Sequence, residues 1–176
     1  MSKIAVIYGS SRPSKAGETV ATWFEGQVEA PDGVEIELVD LAEVNLPMIN
    51  EPMPPMMGQY EAQSTKDWAE QVSGYDAFVF VVAEYNRSFT PILKNALDTL
   101  YAEWNDKPAA MLSYSSGPSS NAVPALMPVM EALKIEAIEP SVHVSKIFEA
   151  VDDDGNLKAD NISGADPQAI VDALSA

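Results

Sequence analysis

Residues 77–91 read AFVFVVAEYNRSFTP and contain the junction that decides the fold. The first part, Ala77 to Ala83, is apolar without alternation, which is typical of a strand covered on both faces in a parallel sheet. Thr90 can cap a helix, and Pro91 suits the first helical position, where its missing N–H costs nothing. Glu84 to Ser88 therefore follow the carboxyl end of a central strand, where ligands bind in open α/β sheets.

The residues after this junction predict an amphipathic helix that runs to Trp104. Apolar side chains recur at helical spacing, which gives the helix one face for the core. These side chains are Ile92, Leu93, Ala96, Leu97, Leu100, Tyr101 and Trp104.

The length of 176 residues predicts a single domain, residues 1–176, with a core large enough to need no covalent staples. The chain has no cysteine, which excludes disulfides, thiolate metal sites and cysteine nucleophiles. Its one histidine, His143, excludes a multi-histidine metal cage and makes a histidine-dependent triad improbable. We expect no metal site and a histidine that packs on a strand or lies at the surface.

The formal net charge of −17 argues against a nucleic-acid partner, because phosphate binding needs a basic patch. No apolar run approaches the roughly 20 residues that cross a bilayer, and a strand follows the first residues directly, so we expect no membrane partner and a cytoplasmic protein. The acidity also means that a site for an anionic cofactor must be built locally, from an arginine and backbone N–H groups.

The first candidate loop follows a short apolar strand, Lys3 to Tyr8, and precedes a helix with one apolar face. It runs from Gly9 to Gly17 and carries Arg12 and Lys15, two of only ten basic residues. Strand, polar loop and helix form the geometry that seats a phosphate at a helix N-terminus. The loop fits neither the P-loop nor the dinucleotide-binding glycine pattern, which leaves a monophosphate such as that of FMN.

A third loop follows another buried strand, residues 109–113. It reads YSSGPSSN, residues 114–121, and consists mainly of small polar residues. Because crossovers between parallel strands are right-handed, the loops after all three strands should meet at one edge of the sheet. The last strand is expected within Ala137 to Val144, with Pro140 indicating a sheet edge or a bulge.

Residues 45–58 form a loop that we call the Met/Pro loop, with four prolines and four methionines. Prolines prevent regular structure here, and methionines supply adaptable apolar surface. Apolar surface of this kind is unusual unless something covers it. Two interpretations stay open: a flap over a flat ligand, or a segment packed on a second subunit.

Two sequence motifs resemble the NADPH-dependent FMN reductase family, flavodoxin-like proteins that include quinone, azo-dye and chromate reductases. Residues 84–88, EYNRS, followed by residues 93–98, LKNALD, are similar to its P-E-Y-N-x-S and L-K-N-A-[IL]-D signature. Residues 9–13, GSSRP, are similar to its G-S-x-R phosphate loop, and Tyr114 to Gly117 occupy the place of its glycine-rich third loop. The resemblance runs from Ile4 to about Leu133.

The resemblance implies an α/β, three-layer flavodoxin-like fold with a five-stranded parallel sheet. It also implies cofactor-binding residues in all three loops and no catalytic side chain, because the flavin itself carries the chemistry. Ser10, Arg12, Gly17 and Glu18 would hold the FMN phosphate. The residues along the ring would be Glu84, Tyr85, Asn86 and Arg87 on one side, chiefly through backbone groups, and Ser115, Ser116 and Gly117 on the other.

The implied function is an FMN oxidoreductase that takes electrons from NADPH or NADH and passes them to a quinone, an azo compound, a metal oxyanion or free flavin. A homodimer or homotetramer is expected, with the Met/Pro loop and the Tyr101/Trp104 end of the central helix as candidate contacts. Two alternatives stay open: a flavodoxin-type electron carrier, and a non-catalytic member in which the serines of the third loop weaken flavin binding.

Overall fold

The structure, a computed structural model, describes residues 1–10, 12, 16–139, 141–152 and 155–176. Within these ranges, one sheet of seven strands is covered by helices on both faces. The strands are β1 (Ser2–Tyr8), β2 (Val34–Asp40), β3 (Ala77–Ala83), β4 (Pro108–Tyr114), β5 (Glu136–Ala137), β6 (Val142–Val144) and β7 (Ile162–Gly164). The helices are α1 (Ala16–Gly26), α2 (Leu41–Val44), α3 (Gln63–Ser73), α4 (Pro91–Asp98), α5 (Ala122–Ala132), α6 (Ile147–Ala150) and α7 (Pro167–Leu174). Short 3-10 helices span Pro55–Met57, Ala102–Trp104 and Ala159–Asn161.

The strand order is β2-β1-β3-β4-β6-β7, and β5 also pairs with β4. All neighbours pair in parallel except β7, which runs antiparallel to β6. Helices α3, α4 and α5 pack on one face, and α1, α6 and α7 pack on the other. The predicted three-layer flavodoxin-like α/β fold is therefore confirmed.

The prediction of five strands is wrong in number. The segment from Ala137 to Val144 does not form one strand, because β5 pairs with the start of β4 and β6 pairs with its end. Pro140, which was expected to disturb this segment, lies outside the described residues. The antiparallel strand β7 adds a further edge strand beyond β6. Three residues ending in glycine carry no alternating pattern that would reveal such a strand.

The central position of β3 follows from its burial. Every residue of this strand is at most 2% exposed. Phe78, Phe80 and Val82 face the core under α3, α4 and α5, while Val79 and Val81 face the core under α1 and α7. The apolar run from Ala77 to Ala83 has no polar alternation because each face of this strand lies in a separate hydrophobic core.

Helix α4 begins as predicted but ends earlier. The Thr90 side chain accepts a hydrogen bond from the Leu93 N–H (3.4 Å) and donates one to the Gly9 carbonyl (3.2 Å). The helix ends at Asp98 rather than near Trp104, which lies on a separate 3-10 helix. Trp104 is fully buried and its ring nitrogen donates to the Leu97 carbonyl (3.2 Å), so the apolar stripe continues into the core although the helix does not.

The C-terminal segment is packed into the same domain. Ile170 and Val171 of α7 are fully buried in the core that also contains Val20 of α1. The side-chain amide of Gln168 accepts from the Glu29 N–H (2.8 Å) and donates to the Glu29 carbonyl (3.1 Å). Helix α7 is therefore fixed to the chain that leaves α1.

Candidate functional site

A cleft lies at the carboxyl ends of β1, β3, β4 and β6. The enclosed part of the cleft has a volume of about 90 Å³ and opens to solvent. The lining residues come from the three predicted loops and from α6: Ser10, Arg12, Ala16, Ala83, Glu84, Tyr85, Tyr114, Ser115, Ser116, Ile147 and Phe148. The structure thus brings residues of all three loops together around one space.

The first loop places a hydroxyl and a guanidinium beside the start of α1. The Ser10 Oγ accepts a hydrogen bond from the Arg12 N–H (3.2 Å). The Arg12 side chain is exposed, and it makes no ion pair within the described part of the chain. Lys15, which was expected to assist it, lies outside the described residues. An arginine without a carboxylate partner, next to a helix N-terminus, is suited to a phosphate.

The start of α1 approaches the Tyr114 side chain closely at Gly17. A Cβ at this buried glycine would lie 3.2 Å from the Tyr114 hydroxyl oxygen, so a larger residue here would require that side chain to shift by a few tenths of an ångström. Gly17 itself does not line the cleft. Glu18 lines a separate groove with Trp23 and Leu157 on the outer side of α1. The assignment of both residues to the phosphate stays a prediction.

The second loop is a tight turn of two residues. The backbones of Tyr85 and Ser88 bond to each other in both directions, at 2.7 and 3.0 Å. Asn86 and Arg87 between them have φ values of 50° and 68°. Two consecutive residues with positive φ define a type I′ turn, which asparagine tolerates and arginine adopts at a cost. Both side chains are exposed and neither lines the cleft, whereas Tyr85 does.

Tyr85 connects the second loop to the first. Its hydroxyl lies 3.0 Å from the Ser10 Oγ. Both groups are hydroxyls, so each can donate to the other or turn its proton toward an anion. The pair therefore forms a polar wall for the cleft on the side of Arg12.

The Glu84 side chain joins the second loop to the third. Its carboxylate accepts a short hydrogen bond from the Asn121 N–H, directly before α5. The Glu84 backbone N–H donates to the Tyr114 carbonyl (3.1 Å). A carboxylate at this position satisfies a free N–H and complements the helix dipole. The side chain of Glu84 thus has a structural partner, in agreement with a role toward a ligand that is confined to the backbone.

The third loop is tied together by Ser115. This residue is 4% exposed, and its N–H donates to the Val144 carbonyl (3.1 Å). Its carbonyl accepts from the Ile147 N–H (2.9 Å), and its hydroxyl donates to the Ser119 carbonyl (2.9 Å). Since these groups are used within the protein, Ser115 shapes the loop and leaves Ser116 exposed at the cleft. Gly117 is not in the lining, and its carbonyl accepts from the Lys146 N–H (2.9 Å).

His143 lies behind the third loop and does not line the cleft. Its Nδ1 is 2.9 Å from the Ser113 Oγ, and its Nε2 is 3.5 Å from the Ser115 Oγ. Burial lowers the pKa of His143, while the Ser113 backbone and the charge of Glu84 oppose this shift. An imidazole that lies between the hydroxyls of Ser113 and Ser115 agrees with the expectation that His143 packs on a strand.

Two tyrosines near the cleft remain protonated far above neutral pH. Burial, reinforced by Tyr85 and opposed by Arg12, raises the pKa of Tyr114 well above its usual value. Burial, followed by the charges of Asp40 and Glu18, raises the pKa of Tyr8 to about 12. These phenols are therefore hydrogen-bond donors and are not bases at neutral pH.

Sequence reasoning missed five residues of the lining: Ala16, Ala83, Tyr114, Ile147 and Phe148. The last two lie on α6, a helix of only four residues that follows β6. The same rule that located the first three loops applies to the carboxyl end of β6, a fourth parallel strand. The strand was expected, within Ala137 to Val144, but residues 145–148 after it read SKIF and lack the small polar residues that marked the other loops. Tyr114, the last residue of β4, was quoted in the motif but not assigned to the site.

The described residues contain no group of three or more His, Cys, Asp or Glu side chains placed to hold a metal ion. In the same part of the chain, every helix is too short or too polar to pass through a lipid bilayer.

Comparisons with known proteins agree with the resemblance. The family of NADPH-dependent FMN reductases matches residues 2–149. An NAD(P)H-dependent FMN reductase of Schizosaccharomyces pombe is 40% identical over 135 residues, which are 76% of this chain and 68% of that protein. A quinone reductase of Pseudomonas putida is 31% identical over 119 residues, which are 65% of this chain and 60% of that one.

A solved structure supports the fold. FerB from Paracoccus denitrificans, described as a flavoenzyme NAD(P)H:(acceptor) oxidoreductase, has a TM-score of 0.71 and 23% identity, covering 99% of this chain and 95% of that chain. The family match is longer than the motif resemblance and includes the loops after β1, β3 and β4 as well as α6 up to Glu149. This chain therefore belongs to the NADPH-dependent FMN reductase family.

Proposed function

We propose that the chain, as one domain over residues 1–176, binds FMN in this cleft and is an NAD(P)H-dependent oxidoreductase. NADPH or NADH is the electron donor, and a quinone, an azo compound, a metal oxyanion or free flavin is the acceptor. The names of the relatives in Schizosaccharomyces pombe and Pseudomonas putida support this activity. The observation that carries the proposal is the meeting of three strand-end loops around one cleft, with Arg12 unpaired among the described residues.

The donor set fits the phosphate of FMN. Arg12 supplies a fixed positive charge, and Ser10 supplies a hydroxyl beside it. The amino end of α1 adds backbone donors and a favourable dipole, and we assign the positions at Gly17 and Glu18 to this end of the site through their backbone. In a chain with 27 acidic and 10 basic residues, this local arrangement is what an anionic group requires.

The rest of the cleft suits a flat ring. The turn from Glu84 to Arg87 lies on one side, and the loop from Ser115 to Gly117 lies on the other. Tyr114 lies at the base of the site, against the start of α1. We assign the ring to the space between these loops, where exposed backbone groups and the hydroxyls of Tyr85 and Ser116 can bind its polar edge.

When bound, FMN supplies the chemistry, because its ring accepts a hydride from NAD(P)H and passes the electrons on. The protein needs to supply hydrogen-bond donors at the edge of the ring where negative charge develops. The turn after β3 and the exposed part of the third loop are in position to do so. No side chain of this cleft is required to act as a base or a nucleophile, which agrees with protonated phenols and with a histidine outside the lining.

The proposal is tested by adding FMN to the purified protein. We expect the bound flavin absorbance to appear after removal of free FMN, and NADPH to be oxidised when a quinone is present. Bound flavin without NADPH oxidation would instead indicate an electron carrier. Absence of any bound flavin at saturating FMN would contradict the proposal.

We also propose that the protein is a homodimer or homotetramer of the cytoplasm, with the Met/Pro loop as the subunit contact. Met48 is 73% exposed and Met56 is 65% exposed, although the loop is fixed in place. The Asn95 side chain bonds to the Ile49 N–H (3.0 Å) and to the Pro47 carbonyl (2.9 Å). The loop does not line the cleft, which favours a subunit contact over a flap.

The Tyr101/Trp104 end of the central helix stays a candidate for this contact, through Tyr101, which is partly exposed, since the Trp104 ring is fully buried within the chain. Sedimentation measures the subunit number directly. We expect an oligomer that dissociates when Met48 and Met56 are both replaced by lysine. A concentration-independent monomer would contradict this proposal.

A further inference from the structure

Phe148 is far more exposed than an apolar aromatic side chain normally is. It is 70% exposed, and every other phenylalanine, tyrosine and tryptophan of the chain, all of which the structure describes, is buried or partly buried. Leaving a phenyl ring in water forgoes about 1.5–3 kcal/mol of burial. The structure places this ring at the cleft, with Tyr85, Arg12 and Ser116 in the same lining.

The position of Phe148 is fixed by its neighbours on α6. Ile147 is 5% exposed and Ala150 is fully buried, so the helix packs on the core through both. The Ile147 N–H donates to the Ser115 carbonyl (2.9 Å), and the Lys146 N–H donates to the Gly117 carbonyl (2.9 Å). The phenyl ring is therefore attached to the third loop of the cleft, and its backbone is held by the same bonds that shape that loop.

The charges around the ring disfavour negatively charged acceptors. Glu149, which pairs with Lys146 (3.9 Å), follows Phe148 directly, and Glu84 lines the same cleft. The chain as a whole carries a net charge of −17. Arg12, the positive group of the lining, is assigned to the phosphate of FMN. An anionic acceptor thus meets repulsion at this mouth, whereas an uncharged planar molecule meets only an apolar aromatic face.

We propose that Phe148 is a specificity-determining residue that stacks on uncharged, planar aromatic electron acceptors. The inference rests on the proposed function, because the acceptor must reach the cleft in which FMN binds. Stacking between two aromatic rings contributes beyond the area that it buries, and it requires no hydrogen bond from the substrate. Phe148 thus selects flat neutral acceptors over small anionic ones.

The test compares the FMN-loaded wild-type protein with Phe148→Ala and Phe148→Tyr. An exposed side chain can be removed with little risk to folding. We expect Phe148→Ala to raise the KM for an uncharged naphthoquinone about tenfold, which corresponds to the loss of roughly 1.4 kcal/mol. Phe148→Tyr keeps the aromatic face and should retain the wild-type KM. Met127→Ala is the matched control, since Met127 is exposed and lines a different groove.

Two further measurements, both made at saturating FMN, separate the possible outcomes. The rate of flavin reduction by NADPH in stopped flow, and turnover with ferricyanide, a small anion that does not stack, should be unchanged in Phe148→Ala. An unchanged KM for the quinone in Phe148→Ala would overturn the inference. An equal loss of activity with the quinone and with ferricyanide would also overturn it. Slower flavin reduction by NADPH would assign the ring to the nicotinamide and would overturn it as well. Wild-type protein that binds no FMN would overturn the proposed function and the inference together.

Discussion

The hydroxyl of Tyr85 lies 3.0 Å from the Oγ of Ser10, and this contact joins two loops that are 75 positions apart in sequence. Ser10 follows β1 and Tyr85 follows β3, which are neighbouring strands of the sheet. The contact holds the first two loops at the distance that the cleft requires. Its contribution to stability can be measured.

Removing this hydrogen bond should destabilise the protein without changing its fold. We expect Tyr85→Phe to lower the free energy of unfolding by about 1 kcal/mol, because a partly buried neutral hydrogen bond contributes about 0.5–1.5 kcal/mol. Ser10→Ala should have a similar effect, and the double variant should lose little more than either single one. Urea unfolding of the four proteins measures this. Fully additive losses would show that the two hydroxyls do not stabilise each other.

Arg12→Ala should weaken FMN binding by about 1.5–3 kcal/mol, because a charge-assisted hydrogen bond to phosphate is lost. Fluorescence titration of the flavin gives the Kd. Riboflavin, which has no phosphate, should bind the variant and the wild type equally. Lys3→Ala is the control for net charge, since Lys3 pairs with Glu35 (3.1 Å) at the opposite end of β1. Unchanged FMN affinity in Arg12→Ala would remove this residue from the site.

Gly164→Ala should destabilise the edge of the sheet strongly. Gly164 in β7 has a φ of +104°, and a Cβ there would lie 2.3 Å from the Ser141 carbonyl oxygen. Strained backbone and a contact with rigid backbone together should cost at least about 2 kcal/mol. Gly33→Ala separates the two causes, because Gly33 also has positive φ, at +83°, but an added Cβ there meets nothing within 4 Å. In thermal unfolding, Gly33→Ala should keep a clearly higher melting temperature than Gly164→Ala. Equal losses of stability in the two variants would show that the contact with the Ser141 carbonyl does not contribute.

His143 should make stability depend on pH in the mildly acidic range. Burial places its native pKa below the ordinary value of 6.5, despite the opposing Ser113 backbone and Glu84 charge. Between these two pKa values the unfolded chain binds more protons than the native protein, so the free energy of unfolding falls as the pH drops through this range. Well above pH 6.5, His143 is neutral in both the native and the unfolded protein, so its titration does not change the free energy of unfolding there.

The matched variant is His143→Gln, which cannot titrate. We expect urea unfolding to show a smaller loss of stability between about pH 7.5 and about pH 5.5 in this variant than in the wild type. The carboxylates titrate in both proteins, so their contribution cancels in the comparison. An identical pH dependence in the two proteins would show that His143 has an unshifted pKa in the native state.

The sequence predicted the elements that carry long, regular patterns. The apolar run of β3 and the Thr90 cap before Pro91 are confirmed, because each depends on local chemistry that the residues themselves display. The length of α4 was overestimated, since Trp104 continues the apolar spacing from a separate 3-10 helix. Periodicity reports which side chains are buried and does not report where a helix ends.

The missed parts are short and depend on distant contacts. Strands β5 and β7 have two or three residues each, too few for a pattern, and they form because β4 or β6 offers free backbone groups, whereas β6 lies within the strand expected at residues 137–144. Phe148 was missed because residues 145–148, SKIF, form no small-residue loop of the kind that marked the other three strand ends. Ser115 was predicted as a flavin contact, but a sequence cannot reveal that its polar groups are bonded within the protein.

The last helix has a consequence for the site although it contacts no part of the cleft. Residues beyond 149 lie outside the family match, yet α7 provides part of the apolar wall against which α1 rests. The Gln168 amide anchors that wall to Glu29, just past the far end of α1. A chain shortened before α7 would leave α1 without this support, and we expect the proposed phosphate site at its amino end to be held less firmly. Loss of α7 should therefore weaken retention of the cofactor, although no residue of this helix lines the cleft.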